Sequence, residues 1–497
     1  MMQEQGVDDA QIGKIGRKAA RGLRWSILGN IVTRAGSFIM SLVLARLLIP
    51  HDYGTFGIAL AASQFLIHIN DVGILSATVQ WRGKLEEMAP TGTIMAFLFS
   101  LVVYAAFWTI SPFYAELSGS SAATPVIRLL TLIIVIDGVT AVRAGALMRN
   151  FQQHKIILAN LAGFAVQAPV TIILAANGAG AFSFAWGQVA CNVVIAVLVL
   201  WFARMPFRFE LDPAIIRYLL RFGMPLALSL GVEGLILNVD KVVVGDTLGV
   251  AMLGYYMVAF NMSSWIPGLI GTAVRYVSLP SFSRLAEQDA SPSEDRELLS
   301  QGVQRSVSIM VAFVLPFAIV MATLSPALIV FLYGQQWAPS AAALQFLSAV
   351  MVVRMLIPLT ADVLTSLGTT RYTVALNLTW FAALIPALII GTRLGGIRGA
   401  SLGQAIVGLL VAVPLGGLML HRAGVRLRPI GPALVRPLLA GVLAATTMVA
   451  LSHLTSGIPF VQLAVAGGAG FILFVLIVVP RAQLRALGGR LRPARAN

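Results

Sequence analysis

Charge is scarce in this chain: Asp, Glu, Lys and Arg make up 11% of its 497 residues, whereas 58% of the residues are hydrophobic. A water-soluble protein of this composition would expose a large apolar surface, which excludes a soluble globular fold. Apolar runs long enough to cross a bilayer recur about every 30 residues. The sequence therefore predicts an all-α, polytopic membrane protein with about fourteen transmembrane helices.

The residues that usually carry chemistry are also few. Cys191 is the one cysteine, so no intramolecular disulfide can form. The five histidines are scattered without metal-ligand spacing, and no phosphate-binding Gly-Lys-Ser/Thr loop is present. We therefore expect no metal, no cofactor, no ATPase and no enzymatic activity in this chain.

Acidic residues are outnumbered, which gives a net charge of +15. Nucleic-acid binding is not expected, because the basic residues sit in short loops between the apolar runs and so indicate membrane orientation. With the N-terminus in the cytoplasm, 28 of the 35 Lys and Arg residues fall on the cytoplasmic side. The exceptions are Arg34, Arg46, Arg128, Lys241, Arg354, Arg393 and Arg398. Both termini are predicted to be cytoplasmic.

An internal repeat organises the predicted spans. Residues 24–54 are echoed by residues 221–254, and the stretch Gly180 to Gln188 aligns with Gly396 to Gln404. Spans 1–6 thus match spans 7–12 in the same orientation, and parallel repeats of this kind commonly flank a substrate path. We predict two six-helix lobes around a central cavity, with two extra helices at the C-terminal end.

The predicted division of the chain follows from this repeat. It comprises a basic amphipathic N-terminus (1–24), an N-lobe (25–205), a cytoplasmic linker (206–221), a C-lobe (222–421), spans 13 and 14 (422–480) and a basic cytoplasmic tail (481–497).

The first span contains a charge that is costly in lipid. Arg34 lies within an otherwise apolar run, where an arginine costs roughly 2.5–3.5 kcal/mol on insertion scales. The positions Asn30, Arg34, Ser37 and Ser41 share one helical face. That face must therefore meet protein or a water-filled cavity rather than lipid.

The stretches GLRWSILGN, ARLLIPHDYGTFGIALAASQF and LGVAMLGYYMVAFNM resemble the Wzx-type oligosaccharide flippases, which are polysaccharide transporters of the multidrug/oligosaccharidyl-lipid/polysaccharide exporter superfamily. The resemblance covers nearly the whole chain. It implies alternating access between two lobes in the bacterial inner membrane. It also implies a substrate for exopolysaccharide or lipopolysaccharide biosynthesis, namely an oligosaccharide repeat unit linked to polyprenyl diphosphate. Expected partners are membrane lipid and, in the same pathway, a polymerase and a chain-length regulator.

Recognition of a diphosphate requires cations, and the planar guanidinium of arginine donates two hydrogen bonds to it. The candidate substrate-binding residues are Arg34, Arg354, Lys241 and Asn30. The intramembrane acids either pair with these bases or serve as protonatable coupling sites. They are Asp71, Asp137, Glu233, Asp240 and Asp362. Asp137 aligns with Arg354 in the repeat, so both are expected to face the cavity with opposite charge.

Two other functions remain open at this point. A multidrug or peptidoglycan-precursor exporter of the same superfamily would share the fold, but a drug exporter would have an apolar or anionic cavity. A membrane glycosyltransferase, polymerase or ligase that uses the same lipid donor would need a large extramembrane loop. The predicted outer loops near residues 51–54 and 177–180 are very short, which argues against such an enzyme.

The orientation is directly testable. Reporter fusions after Arg82, Arg208 and Arg428 should report the cytoplasm, and fusions after Asp52, Gly178 and Gly249 should report the outside, because the basic loops stay on the cytoplasmic side. The measurement is the activity of a compartment-specific reporter in cells. A reversed signal at any two of these positions would rule out this topology.

Overall fold

The computed structural model describes residues 28–81, 83–150, 152–205, 209–286, 292–367, 369–427, 430–455 and 457–479. The predicted amphipathic N-terminus (1–24) and basic tail (481–497) lie outside these residues. Helices account for nearly all of the described chain, and those ranges contain no strand. The all-α fold class predicted from composition and periodicity is thus confirmed.

The chain divides into two compact units, Met1–Met257 and Val258–Asn497. The helices of the first unit are α1 (Leu28–Leu47), α2 (Pro50–Gln80), α3 (Leu85–Leu117), α4 (Thr124–Thr131), α5 (Ile133–Arg149), α6 (Gln153–Ala176), α7 (Ala181–Ala203) and α8 (Pro213–Leu248). The unit boundary falls within α9 (Val250–Ala286).

The helices of the second unit after α9 are α10 (Pro292–Thr323), α11 (Ser325–Tyr333), α12 (Ser340–Ser366), α13 (Thr370–Val407), α14 (Val413–Arg422), α15 (Ile430–Leu454), α16 (Pro459–Gln462) and α17 (Gly468–Val478). Short π-helical segments join α13 to α14 and α16 to α17. The helical paths through these segments are continuous, so each pair of helices forms one longer rod.

Ten segments within the described residues are long and apolar enough to span a membrane. One of them, Arg371–Arg422, is two helices that are joined at Gly395 and Gly396, where the backbone leaves helical geometry. A Cβ atom on Gly391 would collide with the carbonyl of Gly399, so the two helices pack closely in a hairpin. The chain is a multi-pass membrane protein, and the total of about fourteen spans stays a prediction.

Two glycines that the repeat aligns have nearly the same backbone conformation. Gly180, which precedes α7, has φ 53° and ψ −132°, and Gly396 has φ 58° and ψ −143°. Such positive φ values are strained for residues with a Cβ atom, so glycine is the residue that fits. Each glycine reverses the chain between two helices, α6 and α7 in one case and the two arms of α13 in the other.

The first turns of α2 and α9 cross at another aligned pair of glycines. A Cβ atom on Gly54 would overlap the carbonyl oxygen of Val250, and a Cβ atom on Gly254 would overlap the carbonyl oxygen of Pro50. The two contacts are reciprocal, since each glycine opposes the first residue of the other helix. Small residues allow membrane helices to approach this closely.

The α2–α9 crossing should therefore tolerate no added methyl group. Gly254→Ala is expected to destabilise the protein by about 1–3 kcal/mol, because the new Cβ atom must push the Pro50 carbonyl aside. The matched control is Gly468→Ala in α17, where a Cβ atom would meet no atom within 4 Å. Alanine there should stabilise by up to about 1 kcal/mol through helix propensity. Thermal unfolding of the purified variants measures both changes, and equal effects would contradict the packing argument.

Candidate functional site

The polar face of α1 points away from the side that is exposed to lipid. At about 100° per residue, Asn30, Arg34, Ser37 and Ser41 cluster within one sector of the helix. The large exposed apolar residues lie on the opposite side, among them Leu28, Val32, Ile39 and Val43. A third face carries Gly29 and Gly36, which pack against Ile157 and Phe164 of α6. All four polar residues are partly accessible, so none of them is fully packed against the described part of the protein.

Arg34 lies at the centre of this face and is partly buried. Among the residues that the structure describes, its guanidinium forms no hydrogen bond and no salt bridge. An arginine at this depth is expensive in lipid unless water, protein or a ligand solvates it. The assignment of Arg34 to anion binding stays a prediction. Asn30, one turn earlier, is partly buried and interacts with other groups of the chain.

Arg354 of α12 is held between α12 and α9. Its guanidinium stacks over the ring of Phe260 with 4.0 Å from Cζ to the ring centroid, and it donates hydrogen bonds to Ser263 Oγ at 3.2 Å and to Ser264 Oγ. Both serine hydroxyls in turn donate to the carbonyl oxygen of Phe260. These contacts orient a partly accessible cation within the second unit.

Lys241 and Asp240 form a buried ion pair in α8. Their side chains are 3.3 Å apart at Nζ and Oδ1 and only 5% and 3% exposed. Tyr256 of α9 donates its hydroxyl to Asp240 Oδ2 at 2.8 Å. Because this pair is buried and internally satisfied, its geometry favours a structural ion pair over a freely available ligand site.

The structure describes the side chains of two of the other four intramembrane acids. Asp137 in α5 is partly buried and Asp362 in α12 is buried, and both interact with neighbouring groups. Asp71 and Glu233 lie on α2 and α8, but their side chains are outside the described part of the structure. The assignment of all five acids to coupling or ion pairing stays a prediction.

Asn70, which precedes Asp71, connects three helices. Its amide donates to the carbonyl of Ile134 on α5 at 3.3 Å, and its oxygen accepts a hydrogen bond from Ser100 of α3 at 2.7 Å. Gly138 on α5 leaves room for the Ser100 hydroxyl, since a Cβ atom there would overlap it. This network gives the polar residue in the middle of α2 a structural role, because its hydrogen bonds join α2 to α3 and α5.

Arg143 is a buried cation that the sequence did not single out. It is 3% exposed and donates to Thr93 Oγ1 on α3 and to the carbonyl of Met205 after α7, both at 3.4 Å. In the sequence it is indistinguishable from the basic residues that mark the cytoplasmic ends of spans. A weak sequence signal for burial is its position: Arg143 follows Asp137 by about two helical turns and lies further from the end of the predicted span than those basic residues do.

Metal binding finds no support in the described ranges, where no three His, Cys, Asp or Glu side chains group closely enough to hold an ion. The arrangement that remains is a set of oriented or accessible guanidinium groups on membrane helices. Such groups can recognise phosphate or carboxylate without making or breaking bonds.

The helical architecture is that of a known class of membrane proteins. The fold is similar to the lipid II flippase MurJ in an inward closed conformation, with a TM-score of 0.73 and 14% identity over 93% of this chain and 99% of MurJ. It is also similar to an inward-facing multidrug resistance MATE family transporter of the MOP superfamily. There the TM-score is 0.63 with 15% identity, and the match covers 80% of this chain and 98% of the transporter.

The family follows from sequence. The profile of the polysaccharide biosynthesis protein family matches residues 43–342, so the chain belongs to this family. It is 20% identical over 396 residues to the lipopolysaccharide biosynthesis protein WzxC of Escherichia coli (strain K12), which covers 79% of each chain. It is 24% identical over 323 residues to the succinoglycan biosynthesis transport protein ExoT of Rhizobium meliloti (strain 1021), which covers 65% of this chain and 64% of ExoT. The resemblance inferred from short motifs is thus confirmed.

The buried pair in α8 yields a stability prediction. Asp240→Asn removes the counter-charge of Lys241 within a buried environment and should destabilise the protein by about 3–5 kcal/mol. The double variant Asp240→Asn/Lys241→Met should recover a large part of this loss, because no buried charge is left behind. Asp246→Asn, at an exposed position of the same helix, serves as the control. Unfolding midpoints in detergent give the measurement, and a double variant less stable than Asp240→Asn would refute the pairing argument.

Proposed function

We propose that the chain is a flippase of the bacterial inner membrane and not an enzyme. It moves oligosaccharide repeat units linked to polyprenyl diphosphate from the inner to the outer leaflet, for exopolysaccharide or lipopolysaccharide biosynthesis. Both termini lie in the cytoplasm. The family assignment and the relatives WzxC and ExoT support this proposal. MurJ, whose fold is similar, is named as a flippase of lipid II.

The observation that carries the proposal is the accessible polar face of α1 with Arg34 at its centre. A lipid-linked diphosphate combines an anionic head with a long apolar tail. Such a molecule requires a cation that lies within the bilayer and is not already neutralised by an acidic side chain of the protein. In the described residues Arg34 has no ion-pair partner, while the opposite side of α1 is apolar and exposed.

Each candidate residue has a role in this proposal. Arg34 donates a forked pair of hydrogen bonds to the diphosphate, and Asn30, one helical turn away, binds a sugar or phosphate oxygen. Arg354 supplies a second cation whose direction Ser263 and Ser264 hold. Lys241 is the weakest candidate, because Asp240 already neutralises it in a buried site.

The intramembrane acids set the charge that surrounds these cations. Asp137 and Asp362 are neither fully solvated nor isolated, so protonation or ion binding at either would change the local charge between loaded and empty states. We propose that Asp71, Asp137, Glu233, Asp240 and Asp362 divide between such coupling sites and structural ion pairs.

Transport proceeds by alternating access between two lobes that correspond to the sequence repeats, residues 25–205 and 222–421. In this scheme the substrate enters from the cytoplasmic leaflet, and the lobes rock about the bound head group. The nearly identical conformations of Gly180 and Gly396 support the repeat on which the scheme depends. A polymerase and a chain-length regulator of the same pathway are the proposed partners downstream.

A second candidate function is the export of a peptidoglycan precursor, which the similarity to MurJ favours. Both substrates present a lipid diphosphate, so the same cations would serve. Vesicles loaded with either a lipid-linked oligosaccharide or lipid II distinguish the two functions by which lipid reaches the outer leaflet.

Arg34 provides the decisive test. Arg34→Ala should reduce transport of the lipid-linked oligosaccharide per folded molecule by about 10- to 100-fold, the effect of losing a charge-assisted hydrogen bond worth about 1.5–3 kcal/mol. Arg34→Lys should recover only part of the activity, because an ammonium cannot replace the fork. Transport in cells or vesicles, normalised to folded protein, is the measurement.

Arg46 offers a matched control on the same helix. It is exposed near the end of α1, where a long side chain reaches the interface, so Arg46→Ala should leave transport unchanged. Normal transport per molecule in Arg34→Ala would remove Arg34 from the binding site. A loss of folded protein without a loss of specific transport would assign Arg34 to structure.

A further inference from the structure

The segment before α8 and its first two turns expose large apolar side chains. Phe209 is 90% exposed, Leu211 is 60% exposed and Leu220 is 46% exposed. Water would surround these side chains if the segment were an ordinary cytoplasmic loop. Together with Ile216, Arg217 and Arg221 they form what we call the linker surface.

The inner side of the same helical turns fixes the level of the linker surface in the bilayer. Ile215 and Leu219 are buried against Ala77 near the end of α2 and Met88 near the start of α3. The ring of Trp81 meets that of Tyr218 edge-on at 5.0 Å. Trp and Tyr concentrate at membrane–water interfaces, so the first turns of α8 lie at this interface. The helix has 36 residues and is about 54 Å long. Because a hydrocarbon core is about 30 Å thick, α8 extends beyond it.

Hydrogen bonds anchor the backbone of the segment to α3. Thr91 Oγ1 donates to the carbonyl oxygen of Glu210 at 2.9 Å and accepts from the backbone N–H of Asp212 at 3.0 Å. The carboxylate of Asp212 accepts the N–H of Ala214 at 2.7 Å and caps α8.

Two arginines lie on the outer face of these turns. Arg217 and Arg221 are one helical turn apart and line a shallow groove with Pro213, Ile216 and Leu220. Both are exposed, and in the described part of the chain neither donates a hydrogen bond nor forms an ion pair. The acid nearest in sequence, Asp212, is engaged as the helix cap. The groove thus combines two available cations with apolar side chains at the depth of the lipid phosphates.

We propose that the linker surface is a binding site for an anionic phospholipid. Arg217 and Arg221 bind the phosphate, while Phe209, Leu211 and Leu220 insert at the boundary between head groups and acyl chains. The groove is shallow and solvent-accessible, so its affinity for any one lipid is modest. An abundant phospholipid of the surrounding leaflet therefore occupies it, rather than the scarce transported lipid.

A site-specific quenching experiment tests this assignment. Cys191 is the one cysteine, so Ala214→Cys in a Cys191→Ala background places a single fluorophore on the first turn of α8. The full-length protein is reconstituted in vesicles with spin-labelled phosphatidylglycerol or spin-labelled phosphatidylcholine. Half-maximal quenching at low salt should need about 30-fold less spin-labelled phosphatidylglycerol than phosphatidylcholine, the preference expected for two arginines that each contribute about 1 kcal/mol at a lipid surface.

Substitution of the two arginines should abolish this preference. In Arg217→Gln/Arg221→Gln the two lipids should quench alike, whereas in Arg305→Gln/Arg371→Gln, which removes two exposed arginines elsewhere, the preference should persist. Equal quenching in the parent protein, or an undiminished preference in the first double variant, would overturn the proposal. Transport should survive in that variant. Lost transport with an intact phosphatidylglycerol preference would assign the arginines to the transported lipid instead, and would leave the proposed function standing.

Discussion

An ionised side chain within hydrocarbon must be solvated by the protein, by trapped water or by a ligand, and this constraint shapes the polar interior of the chain. Lys241 is neutralised by an adjacent carboxylate. Arg143 is bound by a hydroxyl and a backbone carbonyl, and Arg354 by two hydroxyls and an aromatic ring. Arg34 has none of these within the described residues. The contrast distinguishes cations with contacts to neighbouring helices from Arg34, for which anion binding is proposed.

Much of the helical framework could be predicted from the sequence because the signals are local. Apolar runs define the helices, and the glycines at 180 and 396 mark chain reversals that need a positive φ. The start of α8 is a different case. Asp212 and Pro213 form a capping signal that places the helix start within the predicted linker (206–221). The basic residues of the next turns favour a linker loop, although an interfacial helix carries the same pattern.

The candidate site could be predicted only in part, because its contacts join residues that are distant in sequence. The polar face of α1 is visible from spacing alone. The pairing of Arg354 with Ser263 and Ser264 crosses about 90 residues, and no local pattern indicates it. Asp240 and Lys241 are adjacent in sequence, but the hydrogen bond that Tyr256 of the following helix donates to Asp240 has no local signal. Burial depends on the partner helix, which is information that a single segment does not contain.

The crossing of α2 and α9 at Gly54 and Gly254 is a contact between bare backbones. Packed side chains interlock as knobs in holes, and parting them requires rotamers to change in concert. The two glycines carry no such knobs, and the interlocking comes instead from neighbours such as Leu253 and Met257 of α9, which pack against Gly57 of α2. In lipid, moreover, no hydrophobic force holds the helices together. Resistance to movement at this crossing therefore comes from the side chains around the glycines rather than from the glycines themselves.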